Sequence, residues 1–148
     1  VMDTYSFGYN ASSFMDMPIS HKVFLAQFDT IKKAAEEGPC VIVGRCADYA
    51  LHDFKNCINL FIYGDEETKV KRIMSKYSLT EDKAKDMIVK KDKQRQSHYN
   101  YYSSKKWGRA DSYDFCLNSS VLGVEGTVKL IIQIIEDFEN QNNPGAKA

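Results

Sequence analysis

The chain is 148 residues long, and its twenty basic and twenty acidic side chains cancel to a formal net charge of zero. Hydrophobic residues make up 43% and charged residues 27%, close to globular averages, so wholesale disorder is excluded and a single domain over 1–148 with a proper core is expected. The cancelled charge removes bulk electrostatic attraction to nucleic acid or a membrane surface; any anion site has to be built locally.

Residues 1–17 scatter Tyr5, Phe7, Tyr9 and Phe14 among Ser, Gly and Asn without a clean period. They read as a segment covering the core, with an aromatic wall for a flat ligand as the alternative. A helix begins at Pro18-Ile19-Ser20, with Ser20 as its N-cap, carries Val23, Phe24, Phe28, Ile31 and Ala35 on an apolar stripe, and ends at Gly38. The stretch 38–49, G-P-C-V-I-V-G-R-C-A-D-Y, is the one around which the rest of the chain is organised. Its apolar run 40–43 is β-branched and unalternated, as in a parallel strand buried on both faces, and it breaks at Gly44 to present Arg45. A cation just past such a strand stands where open α/β sheets bind ligands; a structural pairing with Asp48 or Asp65 is the competing reading.

A short helix or turn is expected over 46–54 and a second buried strand over 57–63. Asp65 is placed to cap a helix over 66–77 with Val70, Ile73 and Met74 on one face. Thr80 caps a long charged helix from 81 to about 99, whose thin stripe of Ala84, Met87 and Ile88 buries little. We therefore read 81–107 as a mobile lid. Its end, Y-N-Y-Y-S-S-K-K-W, interleaves aromatics and lysines. The short run and neutral chain favour packing of the lid's return arm over nucleic-acid stacking, and a homodimer seam through Tyr99, Tyr101, Tyr102 and Trp107 is the alternative. A third strand is expected over 115–118 and an amphipathic helix over 124–138 with Leu130, Ile131, Ile134, Ile135 and Phe138 toward a sheet. The tail 139–148 should fray. Strands alternating with helices predict a parallel α/β sheet, and three strands leave that sheet incomplete.

The four cysteines, Cys40, Cys46, Cys57 and Cys116, form no C-x-x-C pair and read as small core residues in a reducing compartment, with no metal site. The N-terminus lacks a signal-peptide pattern and 130–135 is too short to span a bilayer, so a cytoplasmic protein without membrane partners is expected. Cations gather where a phosphate site would use them: Arg45, then Arg72 and Lys76 on one helical face, then Lys90, Lys91, Lys93 and Arg95 around Asp92. Phosphoryl transfer asks the protein for dispersed cations and exclusion of water rather than covalent chemistry.

In order and spacing these segments resemble the cytidylate kinase-like family of P-loop nucleoside monophosphate kinases, over residues 20–138, and the aromatic N-terminal segment also fits the family's pattern. The strand-G-R at 41–45 is similar to the family's acceptor-phosphate arginine; V-K-R-I-M-S-K at 70–76 resembles the helix that begins the lid, and K-K-D-K-Q-R at 90–95 its return. L-N-S-S at 117–120 looks like the end of the last strand. The resemblance implies a three-layer P-loop fold with a helical lid, and ATP with Mg²⁺ as the phosphoryl donor to a nucleoside monophosphate, CMP or dCMP in kind. It implies catalytic roles for Arg45, Arg72 and Arg95, substrate contacts from Arg45, Asp48, His21, Lys22 and Asp92, and donor contacts from Arg72, Lys76 and Lys91. Two departures stand out. None of the glycines opens G-x-x-x-x-G-K-[ST], so an N-terminal βα unit carrying the phosphate loop is expected to be missing from the sequence. Cys46 stands where cytidylate kinases place a base-reading aspartate, leaving Asp48 the nearest acid. A non-catalytic nucleotide-binding or regulatory module of the same fold is the rival reading.

Overall fold

Residues 17–142 are described by a computed structural model, and the chain divides into two compact units, Val1–Lys55 and Asn56–Ala148. The aromatic segment expected to cover the core, with Tyr5, Phe7, Tyr9 and Phe14, lies outside the described residues.

In the first unit, α1 runs Ile19–Glu37 and α2 Ala47–Ala50. Helix α1 forms on the predicted stripe: Phe24 and Ile31 are buried two turns apart, the spacing that stacks side chains on one face. Phe24 and Phe28 pack at 6.1 Å between ring centroids, and Phe28 reaches Tyr49 of α2 at 6.0 Å. Pro18 occupies the capping position and Ser20 lies inside the first turn, which corrects the expected cap. Gly38 ends the helix at φ 148°, a conformation that side-chain-bearing residues rarely adopt.

The strand expected over 40–43 does not form. Val41 and Val43 are 90% and 88% exposed, and the segment joins no ladder among the described residues. A β-branched run fits a pleated sheet only when a neighbouring strand takes its N–H and C=O groups. The chain then turns through three successive left-handed residues, Gly44, Arg45 and Cys46, with φ of 71°, 58° and 55°. Arg45 therefore sits on a tight turn rather than at a strand end.

In the second unit, β1 (Leu60–Tyr63) pairs in parallel with β2 (Phe115–Asn118), Leu60 opposite Phe115 and Tyr63 opposite Asn118. Parallel pairing was expected; β1 is shorter than predicted because its ladder extends only as far as β2 reaches. Both ends of the pair are fastened by side chains. Asn59 N–H donates to the Asp114 carboxylate at 2.7 Å and Asp114 N–H to Asn59 O at 2.9 Å. At the other end the Ser119 hydroxyl donates to Tyr63 O at 2.9 Å, and Ser120 Oγ accepts from Asp65 N–H at 3.0 Å.

Between the strands run α3 (Glu66–Tyr77) and α4 (Glu81–Ser103), packed on each other. Asp65 caps α3 as predicted, its Oδ1 accepting from Thr68 N–H at 2.8 Å. Glu66 and Glu67 in the first turn and Lys76 in the last suit the helix dipole. Thr80 holds the N-cap position of α4 in extended conformation without a side-chain cap bond. Helix α4 buries Ala84, then Tyr99 and Ser103, and so outruns the expected end by one turn. The last helix, α5, spans Ser119–Asn142 with a break at Gly123 (φ 67°, ψ −177°). The 124–138 helix is thus its longer arm, which continues to Asn142; of the tail expected to fray, 143–148 lie outside the described residues. Leu130 and Ile135 are 39% and 37% exposed, so the face expected to be buried is only partly covered. Among the described residues no helix is long and apolar enough to cross a membrane.

Candidate functional site

The second unit holds a cavity of about 260 Å³ at the C-terminal end of β1. Phe61, Ile62, Tyr63 and Gly64 form its floor, Thr68, Lys69 and Arg72 enter from α3, and Asp92 and Arg95 from α4. Trp107 and the Ser119–Ser120 pair that opens α5 complete the wall. Local sequence explains the convergence. Capped at Asp65, α3 starts directly beyond the strand, and Lys69 and Arg72, three residues apart, project from one face. Helix α4 returns across it, presenting Asp92 and Arg95 at the same spacing. The position beyond a parallel strand is where α/β folds bind ligands.

Three cations face one carboxylate in this cavity. Asp92 accepts from Arg95 and, at 3.4 Å, from Lys69 Nζ, so it bridges α3 and α4. Its side chain is 25% exposed against 63% for Arg95, so the arginine is the more open of the pair. The Arg95 guanidinium carbon also lies 5.5 Å from the centre of the Trp107 ring. Trp107 meets Phe61 edge-on at 5.2 Å, Phe61 stacks on Tyr113 at 4.9 Å, and Tyr113 on Tyr99 at 5.8 Å. Gly64 lets the strand end approach α5 closely: a Cβ there would stand 3.1 Å from Ser120 Oγ, which would have to shift by a few tenths of an ångström. The hydroxyls of the wall are engaged, Ser119 with Tyr63 O and those of Thr68 and Ser120 with the Asp65 carboxylate, so it is the excess of positive charge that suits an anion carrying several oxygens.

Arg72, Asp92 and Arg95, singled out from sequence, are therefore brought together. Lys76 and Lys91 are not part of the lining; Lys76 lies one turn beyond Arg72, 5.3 Å over the Tyr77 ring, and Lys91 is exposed on α4. Lys69, Phe61, Thr68 and the two serines were not foreseen. Lys69 was findable, three residues before Arg72 on the same helical face; the others are assembled by chain-distant packing.

In the first unit, Arg45 lines an apolar cleft of about 330 Å³ with Val23, Ala26, Gln27, Thr30, Ile31 and Ile42. The Thr30 hydroxyl is turned back to Ala26 O at 2.7 Å, so it offers the cleft little. Asp48 lies on α2 beside buried Cys46, whose thiol is pushed up to about 11 by burial and then by the Asp48 charge. His21 and Lys22, in the first turn of α1, are not among the lining residues. Cys57 and Cys116 are half-buried and Cys40 is exposed, so only Cys46 is the core cysteine expected. Among the described residues no group of three His, Cys, Asp or Glu side chains could hold a metal ion.

The sequence pattern of the cytidylate kinase-like family matches residues 1–121. A crystal structure of an uncharacterized protein from Eubacterium ventriosum ATCC 27560 is similar at 38% identity and a TM-score of 0.76, over 80% of this chain and 74% of that one. No curated protein matches the chain.

Proposed function

The chain belongs to the cytidylate kinase-like family, and we propose that it serves transfer of the ATP γ-phosphate to a nucleoside monophosphate of the CMP or dCMP kind, within a three-layer P-loop kinase architecture. The observation that carries this reading is the cavity beyond β1, where Lys69, Arg72 and Arg95 converge from two helices around a single, already engaged carboxylate. In transfer, charge spreads over the oxygens of the moving phosphoryl group, and preorganised cations hold and neutralise it. Arg72 and Arg95 take that role here, and Lys69 keeps Asp92 from neutralising Arg95 alone. Arg45 holds the acceptor phosphate from its exposed turn. Helix α4 and its return arm act as the lid. Mg²⁺ accompanies the donor phosphates in this reading; Asp92, the carboxylate of the cavity, is committed to Lys69 and Arg95, so no step is assigned to a metal held by the described residues.

A coupled ADP-release assay on the full chain with ATP, Mg²⁺ and CMP, dCMP, UMP or AMP tests the reading, beside a titration of ATP binding. The pyrimidine monophosphates should give the faster release. Arg72→Ala should weaken ATP binding roughly tenfold to a hundredfold, the loss of one charge-assisted contact. A second reading is nucleotide binding without turnover. Saturable binding with no ADP release would favour it, and unchanged ATP binding in Arg72→Ala would remove the phosphate assignment altogether.

A further inference from the structure

We propose that Trp107 is a positioning residue, whose indole face holds the Arg95 guanidinium at the cavity and thereby sets how strongly the site takes a polyphosphate. The inference rests on the phosphate reading of that cavity given above. Arg95 is a long side chain, 63% exposed, on a charged helix, and a side chain with that freedom loses rotamer entropy whenever a ligand freezes it. Two groups restrain it beforehand. Asp92 takes part of its N–H edge, at the cost of offsetting its charge. Trp107 lies under its carbon at 5.5 Å, and an aromatic face attracts the cation without consuming a donor or cancelling the charge. Arg95 is thus left with donors and positive charge for a ligand while its position is limited.

Trp107 can do this only if it is itself fixed, and it is. Its backbone N–H donates to Asn100 Oδ1 at 2.8 Å, tying the return arm to the last turns of α4. Its ring stands perpendicular to that of Phe61 of β1, 5.2 Å between centroids, and Phe61 leads through Tyr113 to Tyr99, buried on the same helix that carries Arg95. The path closes on itself: helix, ring, ring, ring, indole, guanidinium, helix. Removing the indole therefore frees Arg95 without removing it.

Inorganic tripolyphosphate, titrated calorimetrically into the full chain, reads the effect. Trp107→Leu should weaken binding roughly three- to thirtyfold, and Trp107→Phe should recover most of the loss. In an Arg95→Ala background, Trp107→Leu should change affinity less than twofold. Equal weakening with and without Arg95, or no weakening in Trp107→Leu, overturns the proposal. Should the leucine variant not fold, the wild-type chain decides: the Arg95 side-chain protons should show an upfield ring-current shift in NMR spectra, and its absence also overturns the proposal. A wild-type chain that binds no tripolyphosphate while showing that shift overturns the phosphate reading, and this proposal with it. Binding without the shift overturns this proposal alone.

Discussion

Burial pushes the Cys46 thiol from its ordinary 9.0 up to about 11, with the Asp48 carboxylate adding to the rise. At pH 8 Cys46 is therefore protonated and shielded, whereas Cys40 lies exposed. Brief iodoacetamide treatment followed by peptide mass spectrometry should find Cys40 alkylated first and Cys46 last, since the thiolate is the reacting form. Comparable rates at the two would mean that the first unit opens readily. The linkage has a definite sign: between pH 9 and about 11 the unfolded chain loses the thiol proton that the native chain keeps, so stability falls as pH rises through that window. Arg45 offers a second test. Its φ of 58° carries the left-handed cost of roughly 1–2 kcal/mol for a residue with a Cβ. Arg45→Gly relieves it and Arg45→Ala does not, so the glycine variant should melt at or above the alanine one while both lose monophosphate affinity. A glycine variant that melts lower would show the arginine side chain to be holding the turn together.

Among the elements, α3 was the most readable because its signals are local: an aspartate at the cap, acids in the first turn and a periodic apolar face within twelve residues. The Thr68 N–H and hydroxyl together with Ser120 hold the Asp65 carboxyl below the usual carboxylate range. Its contribution is present above the ordinary carboxyl value and lost as pH falls through the lowered one. Thermal melts should therefore show Asp65→Ala below wild type at neutral pH, Asp65→Asn between the two, and both deficits narrowing in acid. A deficit that persists unchanged into strong acid would mean the carboxylate charge plays no part. The strand predicted over 40–43 failed for the opposite reason: a strand depends on a partner distant in sequence, which an apolar run cannot specify. Helix α4 lies between these cases. From 85 to 98 none of its residues is buried, while Tyr99 and Ser103 anchor its end. Amide hydrogen exchange should be faster over 85–95 than over 99–103 or in β1, and uniform protection along the helix would count against a lid.

Over the whole molecule, the site was legible only in part. Arg72 was singled out with Lys76 because i,i+4 neighbours share a helical face whatever the tertiary structure, yet only Arg72 of the two lines the cavity; Asp92 and Arg95 were singled out through the resemblance of 90–95 to the family's lid return. Phe61, Trp107 and Ser120 could not be singled out, because the cavity draws them from separate elements between β1 and α5. The family resemblance supplied the order of those elements but not the aromatic path beneath Arg95. The parallel pairing of β1 with β2 also bears on how the chain is made. Asn59 and Asp114, which fasten one end of the pair, are 55 residues apart. At ribosomal rates of roughly 5–20 residues per second, β1 waits about 3–11 s for its partner to be synthesised. During that interval its exposed N–H and C=O edge can pair with another nascent chain. The α3–α4 hairpin is complete before β2 exists, and it brings the two ends of the connection closer than a flexible chain would. Assembly of this unit therefore runs with the α3–α4 hairpin ahead of the pairing of β1 with β2.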